Sequence, residues 1–376
     1  MDFLRKYIIP HDGIVVASCL CIAVAGLLSM SVVSLSDPYF VRQSAWIIFA
    51  CIVLMVASRF EYRFLTSPRI VISQYFILLG ILTAILFIGK ISKGAQSWFS
   101  VGGFSFQPSD VMKLGLIIVL AKYFSRRHIE IANVRHIIVS GVYALIPCVL
   151  VFLQPDFGSA MVLFGIWFGM VLVSGISKRH LIAVFLLGTV SLLLAWNLVF
   201  KQYQKARILN FINPLADIRG SGYNAFQSTI AVGSGGLFGK GIGYGTQSRL
   251  NFLPEYRTDF IFAAYAEEWG FVGAIVILVL FFTIFYRLAL YARRAHSNFE
   301  ALFTYGVLVW FCIHVTVNIG MNIGVMPVTG IPLPFMSYGG SHLLAEALAL
   351  GMCIAMYRYG RVAHRSQMKN EFLGLE

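Results

Sequence analysis

Ten apolar runs alternate with short polar segments along this chain, each run close to the length that crosses a bilayer. They fall roughly at 13–34, 42–58, 70–89, 108–124, 136–153, 157–175, 180–200, 259–286, 301–325 and 341–357. About 20 apolar residues in a helix span the hydrocarbon. Lipid gives backbone groups no partners, so a span must be a helix or part of a closed barrel. Runs this long and continuous mean helices. The pattern predicts an all-α polytopic membrane protein of about ten transmembrane helices. Residues 1–376 read as one domain, because no polar stretch is long enough for a separate soluble one. The first run, Gly13 to Ser34, is followed by further spans and reads as a membrane helix, not a cleaved signal peptide.

Composition agrees. The chain is 59% apolar and 12% charged, where an average soluble domain is roughly a quarter charged. The formal net charge of +13 raises the question of nucleic acid. Its distribution answers it. Eighteen of the 29 Lys and Arg fall on one side of the alternation, among them Arg5, Lys6, Arg59, Arg63, Arg69, Lys122, Arg126, Arg127, Arg135, Lys178, Arg179, Arg287, Arg293 and Arg294. The short loops opposite hold only Arg42, Lys90 and Lys93. Positive charge stays cytoplasmic, so both termini are expected there. The basic excess is a topology signal, and no nucleic-acid partner is expected. The six cysteines lie inside apolar runs without metal spacing and read as small buried hydrophobes.

This orientation places 90–107, 154–156, 201–258 and 326–340 on the outer side. The 201–258 segment, between helices 7 and 8, is too long for a passive connector. It contains a glycine-rich stretch, Ile230 to Gln247, with Lys240 inside it. No GK[ST] follows, so a nucleotide P-loop is rejected. Two readings stay open: a compact loop against the membrane surface, or free N–H groups that hold an anionic head group with Lys240. No strong internal repeat is visible, which weakens an inverted-repeat transporter.

Four motifs carry chemistry. Gln107-Pro108-Ser109-Asp110 reads as a helix start, with Lys113 on the same face as Asp110. That pair either anchors the helix top or presents Lys113 to a phosphate. Gln154-Pro155-Asp156 joins two spans in a tight turn; Asp156 can cap the next helix, and Gln154 beside it suggests a site role. Asn251 to Gly270 carries Glu255, Arg257, Thr258 and Asp259 straight into apolar sequence that still holds Glu267 and Glu268. A carboxylate entering lipid is costly and marks function by default. Thr258 or Asp259 could instead cap a helix, and Glu267 and Glu268 read as structural polar contacts. In Asn318 to Leu348, Pro327, Pro332 and Pro334 with Gly330, Gly339 and Gly340 preclude a continuous helix, so it must line protein or a wet cavity. Ser337 and Tyr338 there could face a substrate, while His314 and Asn318 read as interhelical glue.

Together and in this order, the four motifs resemble the SEDS family (shape, elongation, division and sporulation) over nearly the whole chain. Gly320-Met321 with PVTGIPLPFMSYGGS, and the short termini, resemble its RodA-type elongation branch more than its FtsW-type septal branch. The resemblance implies a ten-helix fold in the bacterial cytoplasmic membrane. It implies a peptidoglycan glycosyltransferase that polymerises lipid II at the outer face during cell elongation. It also implies a class B penicillin-binding protein as crosslinking partner, together with other elongation-complex proteins. The family's essential aspartate falls on Asp259, its QPSE acid and following lysine on Asp110 and Lys113, and its QPDFG aspartate on Asp156. Three positions depart from the family pattern: Asp110 replaces a glutamate, Ser97 stands where an arginine precedes Trp98, and His342 follows Ser341.

Sugar transfer from a lipid pyrophosphate needs a base for the acceptor hydroxyl and positive charge for the leaving group. Asp259 is the expected base. Lys113, Lys240, Arg207 and Arg249 are expected pyrophosphate partners, in that order, with Gln107, Gln154, Glu255, Thr258 and Ser337 completing the substrate site. A divalent cation (Mg or Mn) could sit near Asp156 or Asp110, and no organic cofactor is expected. The alternatives are a lipid II flippase without chemistry, or a scaffold that only activates its partner.

Overall fold

Proline opens three of the helices. Pro38, Pro68 and Pro108 stand in the first turns of their helices, where a missing N–H costs nothing. The computed structural model describes residues 13–30, 37–92, 95–101, 104–126, 134–198, 200–213, 222–250 and 252–373. Arg5, Lys6, Lys93, Arg127 and Asn251 from the sequence reading lie outside the described residues.

In chain order the elements are α1 (Gly13–Met30), α2 (Pro38–Ala57), α3 (Pro68–Ile88), β1 (Lys90–Ser92), β2 (Ala95–Val101), β3 (Phe104–Phe106), α4 (Pro108–Ser125), α5 (Val134–Leu153), α6 (Phe157–Val173), α7 (Lys178–Leu198), α8 (Gln202–Ile212), α9 (Tyr223–Ser234), α10 (Thr246–Arg249), α11 (Ile261–Arg293), α12 (Asn298–Asn322) and α13 (Gly340–Leu373). Every predicted span is a helix. Eight are long and apolar enough to cross a membrane. The other two are α6, an apolar helix of 17 residues, and α4, which carries Asp110, Lys113 and Lys122. The strands form a small antiparallel sheet in the order β1-β2-β3. Among its described residues, the segment 201–258, read from sequence as a loop, holds three short helices and the glycine-rich connection between α9 and α10.

Helix α4 is the axis of the bundle. Every residue from Met112 to Ala121 is buried, and it packs against α3, α5, α6, α12 and α13. A helix enclosed on all sides is apolar all round apart from groups that find partners. Small residues allow the close approach: a Cβ on Gly306 would stand 2.6 Å from Ile117 Cγ2. Helix α7 is the opposite case. Among the described residues its apolar window has no buried one, so it lies on the outside of the bundle.

Helix α11 breaks at Gly270, whose φ is +68°. The break frees backbone groups that lipid could not satisfy. The glycine-rich segment fills it. Lys240 N and Gly241 N donate to the carbonyls of Glu267 and Glu268, both at 3.0 Å; Phe271 N and Val272 N donate to the carbonyls of Gly236 and Leu237. Contact this close between two backbones excludes side chains. A Cβ on Gly239, at φ +79°, would sit 2.0 Å from the Glu268 carbonyl oxygen.

Gly239→Ala therefore adds about 1–3 kcal/mol of backbone strain before the clash is counted. Its melting midpoint in detergent is expected to fall by about 3 °C or more. Gly233→Ala, with open space around its Cβ, should leave the midpoint unchanged or raised.

Candidate functional site

Helix α12 presents three buried polar side chains one turn apart, His314, Asn318 and Asn322, on a single face. Trp310 Nε1 donates to His314 Nε2 at 2.9 Å. An indole N–H can only donate, so the histidine's proton is on Nδ1, which donates to the Pro332 carbonyl at 3.0 Å. Asn318 Nδ2 donates to the carbonyls of Ile331 (2.7 Å) and Asp259 (3.0 Å). Asn322 Nδ2 donates to the same Asp259 carbonyl at 3.1 Å, and its Oδ1 accepts from Ala263 N at 3.0 Å. This face holds two irregular pieces of chain together: the turn before α11 and the strap 326–339 between α12 and α13. His314 and Asn318 are structural, as expected, but they join this helix to loop carbonyls and not to a neighbouring helix. Asn322 was missed, although it continues the same four-residue spacing.

That arrangement answers the capping question. Helix α11 begins after Phe260, with no side-chain cap from that residue. The orphan N–H of Ala263 in its first turn is met by Asn322, from another helix. Asp259 is anchored through its main chain. Its carboxylate faces the strap, where a Cβ on Gly330 would stand 3.5 Å from Oδ2. Gly330 has φ +75°, a conformation that suits glycine. Beside it, Thr258 Oγ1 donates to Glu255 Oε2 at 2.9 Å. Arg257 pairs with Asp37 at 2.6 Å and stacks over the Tyr39 ring at 4.3 Å, tying this turn to the start of α2. Burial pushes the Tyr256 phenol upward, with Arg257 acting against it.

The strap is approached from the other side by the turn before α6. Asp156 Oδ1 caps α6 by accepting from Ser159 N at 3.0 Å, and Oδ2 accepts from Gln107 Nε2 at 2.8 Å. Gly158 comes so close that a Cβ there would lie 2.6 Å from the Thr329 carbonyl oxygen. Arg207 Nη1 reaches the same oxygen at 3.4 Å. Two sequence-predicted residues, Arg207 and Asp259, thus meet at Thr329-Gly330, and the turn that carries Asp156 reaches the same strap through Gly158.

Other expected site residues are placed elsewhere. Lys113 is buried and pairs with Asp110 Oδ1 at 2.9 Å, inside the bundle and not at a surface where a phosphate could dock. Lys240 pairs with Glu267 at 2.7 Å. Glu267 also accepts from Thr246 N and Gln247 N, and Gly243 N donates to Glu268. The glycine-rich segment does cradle anions, but they are the chain's own carboxylates, roughly 12 Å along α11 from Asp259. Glu267 and Glu268 have the structural role expected of them. Gln154 is buried and donates to the Leu82 carbonyl. Ser337 is buried too, donating to the Thr258 carbonyl and accepting from Leu333 N, so it ties loops together and does not face a substrate. Arg249 is exposed on α10. Among the described residues no group of three or more His, Cys, Asp or Glu gathers to hold a metal. Asp156 has both oxygens engaged and Asp110 has one, so these two do not fit a protein-only metal cage.

The comparisons with known proteins agree with this architecture. A family model described as a cell cycle protein of the FtsW/RodA/SpoVE type matches residues 13–361. The chain is 36% identical over 292 residues to the peptidoglycan glycosyltransferase MrdB of Escherichia coli K12, covering 78% of this chain and 79% of that protein. A solved chain described under the structural coordination of polymerization and crosslinking by a peptidoglycan synthase complex superposes with a TM-score of 0.79 at 30% identity, over 93% of this chain and 98% of that one. The rod shape determining protein RodA of Thermus thermophilus gives 0.69 at 30% identity, over 92% and 96%. The chain belongs to the FtsW/RodA/SpoVE family of polytopic membrane proteins, the SEDS family.

Proposed function

We propose that this protein polymerises lipid II into glycan strands at the outer face of the cytoplasmic membrane, with Asp259 as general base. The observation that carries the reading is the convergence on Thr329-Gly330. A carboxylate whose main chain is pinned by two asparagines faces Gly330, with a guanidinium on the adjacent carbonyl. The names of the relatives support the reaction class. In the step itself, the acceptor hydroxyl oxygen bonds to the anomeric carbon of the donor sugar. The bond from that carbon to the pyrophosphate oxygen breaks, and the hydroxyl proton passes to Asp259. Attack opposite the leaving group inverts the anomeric centre.

The leaving lipid pyrophosphate needs positive charge, since a positioned cation acts on charge as it develops. Lys113 and Lys240 are held by internal carboxylates. Arg207 becomes the first choice, and Arg249 the second. The basic inner segments support an orientation with both termini cytoplasmic. The solved synthase complex supports a penicillin-binding protein as partner. The RodA-type motif around Gly320-Met321 favours cell elongation over septation.

Two variants test the site. Asp259→Asn keeps the main-chain anchors, so it should melt as the wild type does and make no polymer from lipid II in detergent with its partner. Normal polymer from this variant removes Asp259 from the base role. No polymer from the wild-type complex, with lipid II crossing the bilayer of vesicles instead, would favour a flippase. Asn322→Ala removes one of the two donors to the Asp259 carbonyl and the acceptor for Ala263 N at the start of α11. It is expected to lower kcat by about ten- to a hundredfold, as displacement of a catalytic group does, together with the melting midpoint. An unchanged kcat would dissociate the α12 stripe from catalysis.

A further inference from the structure

Helix α13 opens with two buried polar side chains one turn apart, His342 and Glu346. Neither belongs to the convergence on Thr329-Gly330, and His342 is a departure from the SEDS sequence pattern. Both grip the strap. Glu346 Oε2 accepts from Phe335 N at 2.9 Å. His342 Nε2 lies 3.2 Å from the Ser337 carbonyl, which can only accept, so the imidazole donates there. Gln43 on α2 holds the end of the same turn, donating to the Ser337 carbonyl and accepting from Gly339 N.

Phe335, between these anchors, has φ +60°. A bulky side chain in the left-handed region is an outlier and persists only where its surroundings over-determine it. Its ring packs edge-on against Phe311 at 5.6 Å. Five residues before it stands Gly330, against Asp259. The second oxygen of Glu346 is buried without a partner, as is Asp110 Oδ2, and Glu346 is within electrostatic reach of both Asp110 and Lys113. A buried acid in a membrane helix is costly, and a purely space-filling role does not account for its bond to the strap.

We infer that Glu346 and His342 are positioning residues, a two-point clamp that fixes the left-handed turn at Phe335 and through it the placement of Gly330 before Asp259. The kinetic arm of this inference rests on the proposed polymerase reading. The structural arm does not.

The test compares Glu346→Ala and Glu346→Gln in the full chain by amide hydrogen exchange, and in the partner complex by lipid II polymerisation. Glutamine keeps an acceptor for Phe335 N; alanine removes it. For Glu346→Ala, exchange across 331–337 should speed by about tenfold or more. Its kcat should fall about tenfold while KM moves less than about twofold, the split of a group that acts on the transition state. Glu346→Gln should return exchange and kcat to within about threefold of wild type. Wild-type exchange in Glu346→Ala, or equal losses in both variants, overturns the clamp. Should Glu346→Ala fail to fold, His342→Ala decides: faster exchange at 335–338 supports the clamp and wild-type exchange overturns it. If the wild-type complex makes no polymer, the polymerase reading fails while exchange still reports on the clamp.

Discussion

A backbone that leaves its helix inside a membrane must find hydrogen bonds within the protein, and the α12 face meets that need where the chain is most irregular. His314, Asn318 and Asn322 serve the carbonyls of Pro332, Ile331 and Asp259 and one N–H of α11. Two broken segments become one rigid unit through three side chains. Carboxamides suit the task because each offers donors and an acceptor without charge, and a charge there would add the cost of burial. The result is an aspartate whose main chain is held by two carboxamides.

The same constraint explains the glycine-rich segment. Helix α11 is broken at Gly270, and the freed groups are met by another strip of backbone. Such contact is possible only without side chains, hence the glycines at 235 and 239. Glu267 and Glu268 then lie beside that strip. They are stabilised by N–H groups and by Lys240. Pattern alone suggested a cradle for an external anion, and the physics of that suggestion was sound. What the pattern could not supply was the identity of the anion, because the carboxylates that occupy the cradle lie some twenty to thirty positions further along the chain.

Hydrophobic period made the helices legible. Runs of apolar residues carry their own length information, and all ten predicted spans are helices. Helix α4 was legible even with three charges, because Pro108 and the Asp110–Lys113 spacing mark its start. Its place as the buried axis was not, since burial on all sides depends on which helices surround it. Asp259 stood out as a carboxylate at the edge of an apolar run, and Asp156 as a cap. That Asp259 and the turn after Asp156 both meet Thr329-Gly330 needed tertiary structure. Lys113 and Lys240 looked like free cations because a sequence cannot show which acids face them. Asn322 and Glu346 were within reach of the same reasoning: one repeats the interval of His314 and Asn318, and the other is a lone acid in a membrane span.

The acids of this end of the bundle separate by what already binds them. Asp156 gives one oxygen to the cap of α6 and the other to Gln107. Asp110 is sealed with Lys113, Glu267 is saturated by main-chain N–H groups and Lys240, and Glu255 takes the Thr258 hydroxyl. A general base has to be both held and reachable. Asp259 is half-buried, its position is set by the α12 asparagines acting on its carbonyl, and its carboxylate looks across a glycine. Burying Asp110 with Lys113 also serves that distinction. An ion pair removed from water is at best weakly stabilising, so its value lies in fixing the first turn of α4, which carries Gln107 to Asp156 and brings the α6 turn against the strap. The buried charges shape the framework, and in the proposed reading the chemistry falls to Asp259, whose carbonyl that framework holds.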